Sequence, residues 1–203
     1  MKITKIRLGR ISVPLRVPFK TAVRSVSSVE DVIVEIHTDT GAIGYGEAPP
    51  TGAVTGDTAG AIIGAIQDHI APTILGREID DFENLMLALQ GCILKNTSAK
   101  AAVDMALWDL YGQLYNISVY KMLGGSRNKI VTDITISAND PEEMARDARN
   151  AIDRSYDCLN CKVVQAAPLD LLRLQAIRPE VATDATLRTD ANPGMNPNDT
   201  RRI

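Results

Sequence analysis

Asp157 to Val164 reads DCLNCKVV. Two cysteines three residues apart match the spacing of redox and zinc motifs, but the apolar residues beside them favour a short β-strand. In a strand, successive side chains point to opposite faces, so Cys158 and Cys161 cannot grip one ion or close a disulfide without breaking the strand. A redox pair would also need a helix N-terminus after its first cysteine, and KVV continues the strand instead. No second pair completes a four-ligand zinc site. The same alternation puts Leu159, Cys161 and Val163 on one face, suited to packing under helices, and Asn160 and Lys162 on the other.

The segments around this strand repeat its setting. VTDITIS (131–137) reads as a preceding strand, Asp140 and Pro141 start a helix carrying Met144, Ala148 and Ile152, and Pro168 opens a helix with Leu172 and Ile177. TLRTDAN (186–192) follows as a third strand. Repeating strand and helix units mean a parallel sheet, open or closed into a barrel.

The first half reads differently. Ile6 and Leu8 alternate in one phase and Ile11, Val13 and Leu15 in another, which places a bulge at Gly9-Arg10. Val32, Val34 and Ile36 mark a strand that turns at Asp39-Thr40-Gly41 into AIGYGEA, and a polar loop from Phe19 to Ser28 lies between. Three helical stripes follow, led by Ile62 to Ile70, Phe82 to Leu89, and Ala99 to Leu114, the last behind cap candidates Asn96 to Ser98. GGSRNK (124–129) is the boundary candidate, giving residues 1–125 as an antiparallel α+β domain and 126–203 as a parallel one.

The 203 residues are 45% hydrophobic and 23% charged, the composition of a globular chain, with a net charge of −3. That balance offers no basic footprint for nucleic acid. MKITKIRLGRISVPL lacks the apolar core of a signal peptide, and no stretch reaches a membrane span, so the expectation is a cytoplasmic protein with a small-molecule partner. His37 and His69 have no mutual spacing suited to a metal. Glu47 is either a residue of the cleft border or an ordinary exposed carboxylate.

Function follows from the inward face. A lysine such as Lys162 near a strand's C-terminal end is costly to desolvate unless it is used or paired, and snorkelling or pairing is the plain alternative. Arg188, Asp190 and Asn192 share a face, with Asp190 at the strand end where barrel enzymes keep catalytic groups. A carboxylate there can bind Mg²⁺ through oxygen while a lysine takes a proton from carbon beside a carboxylate. An ion-paired or helix-capping aspartate is the competing account.

PFKTA, VEDVIVEIHTDTGAIGYGEAPPT, TGDT, NTSAKAAVDMALWDLYGQLYN, KMLGG and TDITIS together resemble the enolase superfamily, in its muconate-lactonizing subgroup, and within it the dipeptide epimerases. The resemblance implies an α+β capping domain followed by a (β/α) TIM-type barrel, and Mg²⁺-dependent interconversion of L-Ala-L-Glu and L-Ala-D-Glu. It implies Lys162 as a catalytic base, Asp190 as a metal ligand, and Arg24 and Thr135 as substrate-binding residues. Asn160 is assigned to the substrate side as well, and it departs from the family, which has another lysine there. Pro193, Gly194 and Met195 also depart from the usual glutamine-glycine-tryptophan. A full barrel takes about 250 residues, and the residues after Lys129 suit about three of eight units. The expectation is therefore a truncated, incomplete barrel, weakly active or silent alone, holding Mg²⁺ weakly and open to oligomerisation through its exposed edge. A catalytically silent interaction module is the alternative.

Overall fold

The computed structural model describes all residues except 21–24, 164–166, 182, 184, 192–195 and 202–203. The described residues fall into two compact units, one of residues 1–14 with 28–127 and one of residues 15–27 with 128–203.

The first unit holds most of an antiparallel sheet in the order β1-β2-β3, formed by β1 (Ile3–Lys20), β2 (Ser25–Thr38) and β3 (Ile43–Ala48), with residues 15–20 of β1 and 25–27 of β2 falling in the second unit. Val32, Val34 and Ile36 are buried and alternate with half-buried neighbours, as a strand with one core face requires. The β2–β3 hairpin pairs Val32 with Ala48 through to His37 with Ile43, and Gly41 takes the positive φ its turn needs. β1 runs unbroken through Gly9 and Arg10, and Ile11 and Val13 beyond them are exposed, so the second apolar phase in β1 lines no core. Of the loop expected from Phe19 to Ser28, Phe19, Lys20 and Ser25 to Ser28 are in strands, and residues 21–24 lie outside the described residues. Backbone pairing between neighbouring strands overrides the polar character of those serines.

Helices cover the core face. Thr58 caps α1 (Ala59–Gly64) by accepting from the N–H of Ala61. A π-helical segment (Ala65–Ile70) and α2 (Ala71–Ile74) continue it. Ile62, Ile66, Ile70 and Ile74 are all buried. A strict spacing of four drifts around an α-helix, and the wider π turn holds the residues on one side. α3 (Phe82–Gly91) adds Leu85 and Leu89, and α4 (Thr97–Tyr115) adds Val103 and Leu107 to the same core. Asn96 does not cap α4: its backbone is left-handed at φ 49°, its amide donates to the carbonyl of Leu94, and Ser98 instead donates to Asp57 at 2.5 Å. α5 (Val119–Met122) closes this unit.

α4 lies directly on β3. A Cβ on Gly46 would stand 1.8 Å from the carbonyl oxygen of Ala102, and one on Gly44 would stand 2.2 Å from that of Ala106. Only glycine admits this approach. The contact lets α4 reach the outer edge of β3, where the N–H of Tyr45 donates to Asp109 Oδ2 at 3.0 Å and Gln113 Nε2 donates to the carbonyl of Ile43 at 2.9 Å.

The second unit carries a parallel sheet in the order β4-β5-β6, from β4 (Ile134–Ile136), β5 (Cys158–Lys162) and β6 (Thr186–Asp190). Between them lie α6 (Pro141–Asp153), α7 (Ala167–Ile177) and a 3₁₀ turn (Arg178–Glu180), with α8 (Pro197–Thr200) last. Ile136, Leu159 and Cys161 are buried with Met144, Ala148 and Ile177 of the helices. Burying each large aliphatic side chain here is worth about 1.5–3 kcal/mol. Leu172, expected in this core, is 55% exposed, and the buried face of α7 instead holds Asp170 and Arg173.

Candidate functional site

The parallel register brings the sequence candidates onto one face. Ile134 pairs with Leu159, Thr135 with Asn160 and Asn160 with Arg188, so Thr135, Asn160 and Arg188 form one row across the three strands. Lys162 pairs with Asp190 two residues further on, at the C-terminal ends of the strands. Since aligned residues in a sheet point the same way, this row and the one above it share the face opposite the helices.

Lys162 is 7% exposed, and its Nζ donates to Asp190 Oδ2 at 2.5 Å. Burying an ammonium without a partner would be expensive, and this carboxylate offsets part of the cost. Of the readings open for Lys162 in sequence, the paired one describes this geometry, and the same holds for Asp190. The strand ends are also tied through backbone, with the N–H of Val163 donating to the carbonyl of Asp190 at 3.1 Å. Arg188 Nη1 lies 3.3 Å from Asp133 Oδ2, an exposed pair of small energetic weight. Thr135 and Asn160 are half-buried beside these groups. Arg24, and with it Asn192 and residues 193–195, lies outside the described residues.

The cysteines behave as strand parity requires. Cys161 is buried on the helix side, Cys158 is buried in the alternate phase, and both are free thiols. Burial pushes the Cys161 thiol up to about 11, with a smaller contribution from Cys158. A thiol held that far above neutral pH is a poor nucleophile and a poor metal ligand.

A magnesium ion needs about six oxygen donors in octahedral array. Asp190 supplies one carboxylate, already engaged by an ammonium, and no group of three or more His, Cys, Asp or Glu side chains that could hold a metal occurs among the described residues. These residues alone do not fit Mg²⁺.

The sequence reading passed over Lys20, Asn139, Asp170 and Arg173, which are linked by hydrogen bonds in the same unit. The signal available for Asn139 was its place in SANDP, a polar turn directly after a strand end. For Asp170 and Arg173 it was their separation of three residues, which makes them neighbours on a helix.

No helix among the described residues is long and apolar enough to cross a membrane.

The chain is 52% identical to the L-Ala-D/L-Glu epimerase of Clostridium acetobutylicum over all of its own length and 56% of that protein's. Its fold superposes with a TM-score of 0.95 on a substrate-liganded complex of the L-Ala-D/L-Glu epimerase from Bacillus subtilis, at 44% identity, covering 98% of this chain and 56% of the other. An equal TM-score of 0.95 relates it, at 33% identity, to a dipeptide epimerase from Enterococcus faecalis complexed with Mg and the dipeptide L-Leu-L-Tyr, covering 100% of this chain and 57% of that one. The chain thus spans a little over half the length of the relatives it matches. Residues 3–124 match the model of the mandelate racemase / muconate lactonizing enzyme, N-terminal domain. On that match the chain belongs to the mandelate racemase / muconate lactonizing enzyme family, to which its sequence motifs had pointed.

Proposed function

We propose that residues 1–125 are the capping domain and residues 126–203 the opening strand and helix units of a TIM-type barrel in a dipeptide epimerase, acting on dipeptides such as L-Ala-L-Glu. The observation that carries the reading is the placement of Lys162 and Asp190 side by side at the C-terminal ends of parallel strands, next to Thr135 and Asn160. Barrel enzymes keep their chemistry at that end. In this reading Lys162 Nζ accepts the α-proton of the substrate's C-terminal residue and can return it. The amide of Asn160 and the hydroxyl of Thr135 hold the substrate by hydrogen bonds, and Arg24 joins them from the capping side. Asp190 is this chain's contribution of oxygen toward Mg²⁺, the ion found with related epimerases. One such donor is too few, so no Mg²⁺-dependent step is assigned to these residues by themselves. The cytoplasm is the proposed location.

A second reading is a catalytically silent module that associates through an edge strand of its parallel sheet, and two observations support its silence. Asn160 stands where the resemblance expects a second lysine, and Lys162 Nζ is already engaged by the carboxylate of Asp190. Incubating the purified chain with L-Ala-L-Glu and Mg²⁺ in D₂O separates the two. Deuterium at the glutamate α-carbon above the level of a Lys162→Met variant supports the epimerase. No incorporation, together with oligomers in size-exclusion chromatography, supports the silent module.

A further inference from the structure

Residues 15–27 belong to the same compact unit as residues 128–203, and one side chain explains how the end of β1 is fastened there. Lys20 Nζ donates to Asn139 Oδ1 at 2.9 Å. Asn139 is buried in the turn between β4 and α6, and two more of its polar groups have partners of matching sense. Its Nδ2 donates to Glu143 Oε1 at 3.0 Å, and its backbone carbonyl accepts from Arg173 Nε at 2.8 Å. Arg173 in turn donates from Nη1 to Asp170 Oδ1 at 2.7 Å, where Asp170 is 0% exposed. The chain of contacts therefore runs from an exposed lysine to a buried ion pair inside α7.

This arrangement fixes the orientation of the Asn139 amide. Lysine has only donors and the Glu143 carboxylate only acceptors, so the oxygen must face Lys20 and the nitrogen must face Glu143. Asparagine suits a place between a cation and an anion because it offers an acceptor to one and a donor to the other. Alanine offers neither, and aspartate would face Glu143 with like charge. The backbone carbonyl held by Arg173 keeps the turn from rotating the amide away.

We propose that Lys20 and Asn139 form a latch that holds the end of β1 on the turn following β4, with Arg173 and Asp170 as its buried anchor. Asn139 is a positioning residue in this scheme. The turn it occupies follows β4, the strand of Thr135, and the arm it holds leads in sequence to Arg24. The consequence for substrate rests on the proposed function, whereas the latch itself does not.

Limited trypsin digestion of the full chain tests the latch. Trypsin must draw the Lys20 side chain away from Asn139 to cut between Lys20 and Thr21, and the exposed bond between Lys129 and Ile130 in the same unit serves as internal control. Asn139→Ala is expected to raise the ratio of Lys20 to Lys129 cleavage about three- to tenfold, the effect of one hydrogen bond. Asn139→Asp, which keeps an acceptor facing Lys20, is expected to bring the ratio back toward that of the unmutated chain. An unchanged ratio in Asn139→Ala, or a rise at both bonds together, overturns the latch. In the unmutated chain, Lys20 is expected to be acetylated by an N-hydroxysuccinimide ester several-fold more slowly than Lys129, and equal rates also overturn it. Neither readout needs turnover, so the latch and the epimerase reading fail separately.

Discussion

The ammonium of Lys162 and the carboxylate of Asp190 meet at 2.5 Å from paired positions on β5 and β6, with the lysine nearly enclosed and the aspartate side chain 38% exposed. The pair stitches the central strand to its neighbour at the end where the proposed chemistry takes place. Removing one partner takes from the other the charge it faces, and the cost falls mainly on the nearly enclosed lysine.

Asp190→Asn should therefore lower the stability of the parallel-sheet unit by about 1–2 kcal/mol, less than for a fully buried pair because water reaches the carboxylate. Urea unfolding followed by circular dichroism measures this. The double variant Lys162→Met with Asp190→Asn should recover part of the loss, since no buried charge is then left alone. A double variant as unstable as the sum of the singles would show that the two side chains do not act as a pair.

The Asp170 and Arg173 pair should be more costly to break. Arg173→Met removes two hydrogen bonds and leaves a carboxylate with 0% exposure without its guanidinium, a loss of about 2–4 kcal/mol. Thermal unfolding should show a drop of several degrees in the midpoint. A midpoint within one degree of the unmutated chain would contradict the assignment of this pair as an anchor.

Gly46→Ala should destabilise the first unit, because the added methyl meets the backbone oxygen of Ala102, which cannot swing aside as a side-chain end would. Overpacking of this kind costs about 1–3 kcal/mol. Gly9→Ala is the matched control: no atom lies within 4 Å of the new Cβ. Its effect should stay within about 0.5 kcal/mol. Denaturant midpoints for the two variants give the comparison directly.

Cys161 links stability to alkaline pH. Its thiol is raised from 9.0 to about 11, so between those values the folded chain holds a proton that the unfolded chain has released. Stability from this group is fully present below about pH 9 and is lost as pH rises toward 11, by roughly 2–3 kcal/mol in total. Cys161→Ser should alter the steepness of that loss. At pH 8, mass spectrometry after iodoacetamide treatment should find Cys161 unmodified under conditions that alkylate the half-buried Cys92.

Much of this was legible from local pattern. Alternation in CLNCK separated a helix-packed face from a polar one, and that same parity made Lys162 a residue needing a partner. The partner itself was not legible, because the register of β5 against β6 is set by how α7 packs between them in sequence and not by any letter in either strand. The reading of α7 held for Ile177, which is buried, and failed at Leu172 for a related reason. Leu171 and Leu172 are exposed while Asp170 and Arg173 are inside, an inversion that hydrophobic periodicity cannot reveal because the buried charges neutralise each other. The π segment escaped notice since its isoleucines fit a helical stripe almost as well as they fit a wider turn. At the end of β1, pairing with β2 carries strand structure into residues whose composition reads as loop.

The close seat of α4 on β3 has a bearing on how the molecule avoids its own kind. A bare strand margin invites another chain to add a strand of its own. Here that margin at Ile43 and Tyr45 ends in the side chains of Asp109 and Gln113, which occupy the hydrogen-bonding places an incoming strand would seek. The two glycines that let the helix come so near are thus also what turns this border of the sheet from a landing strip into a hem.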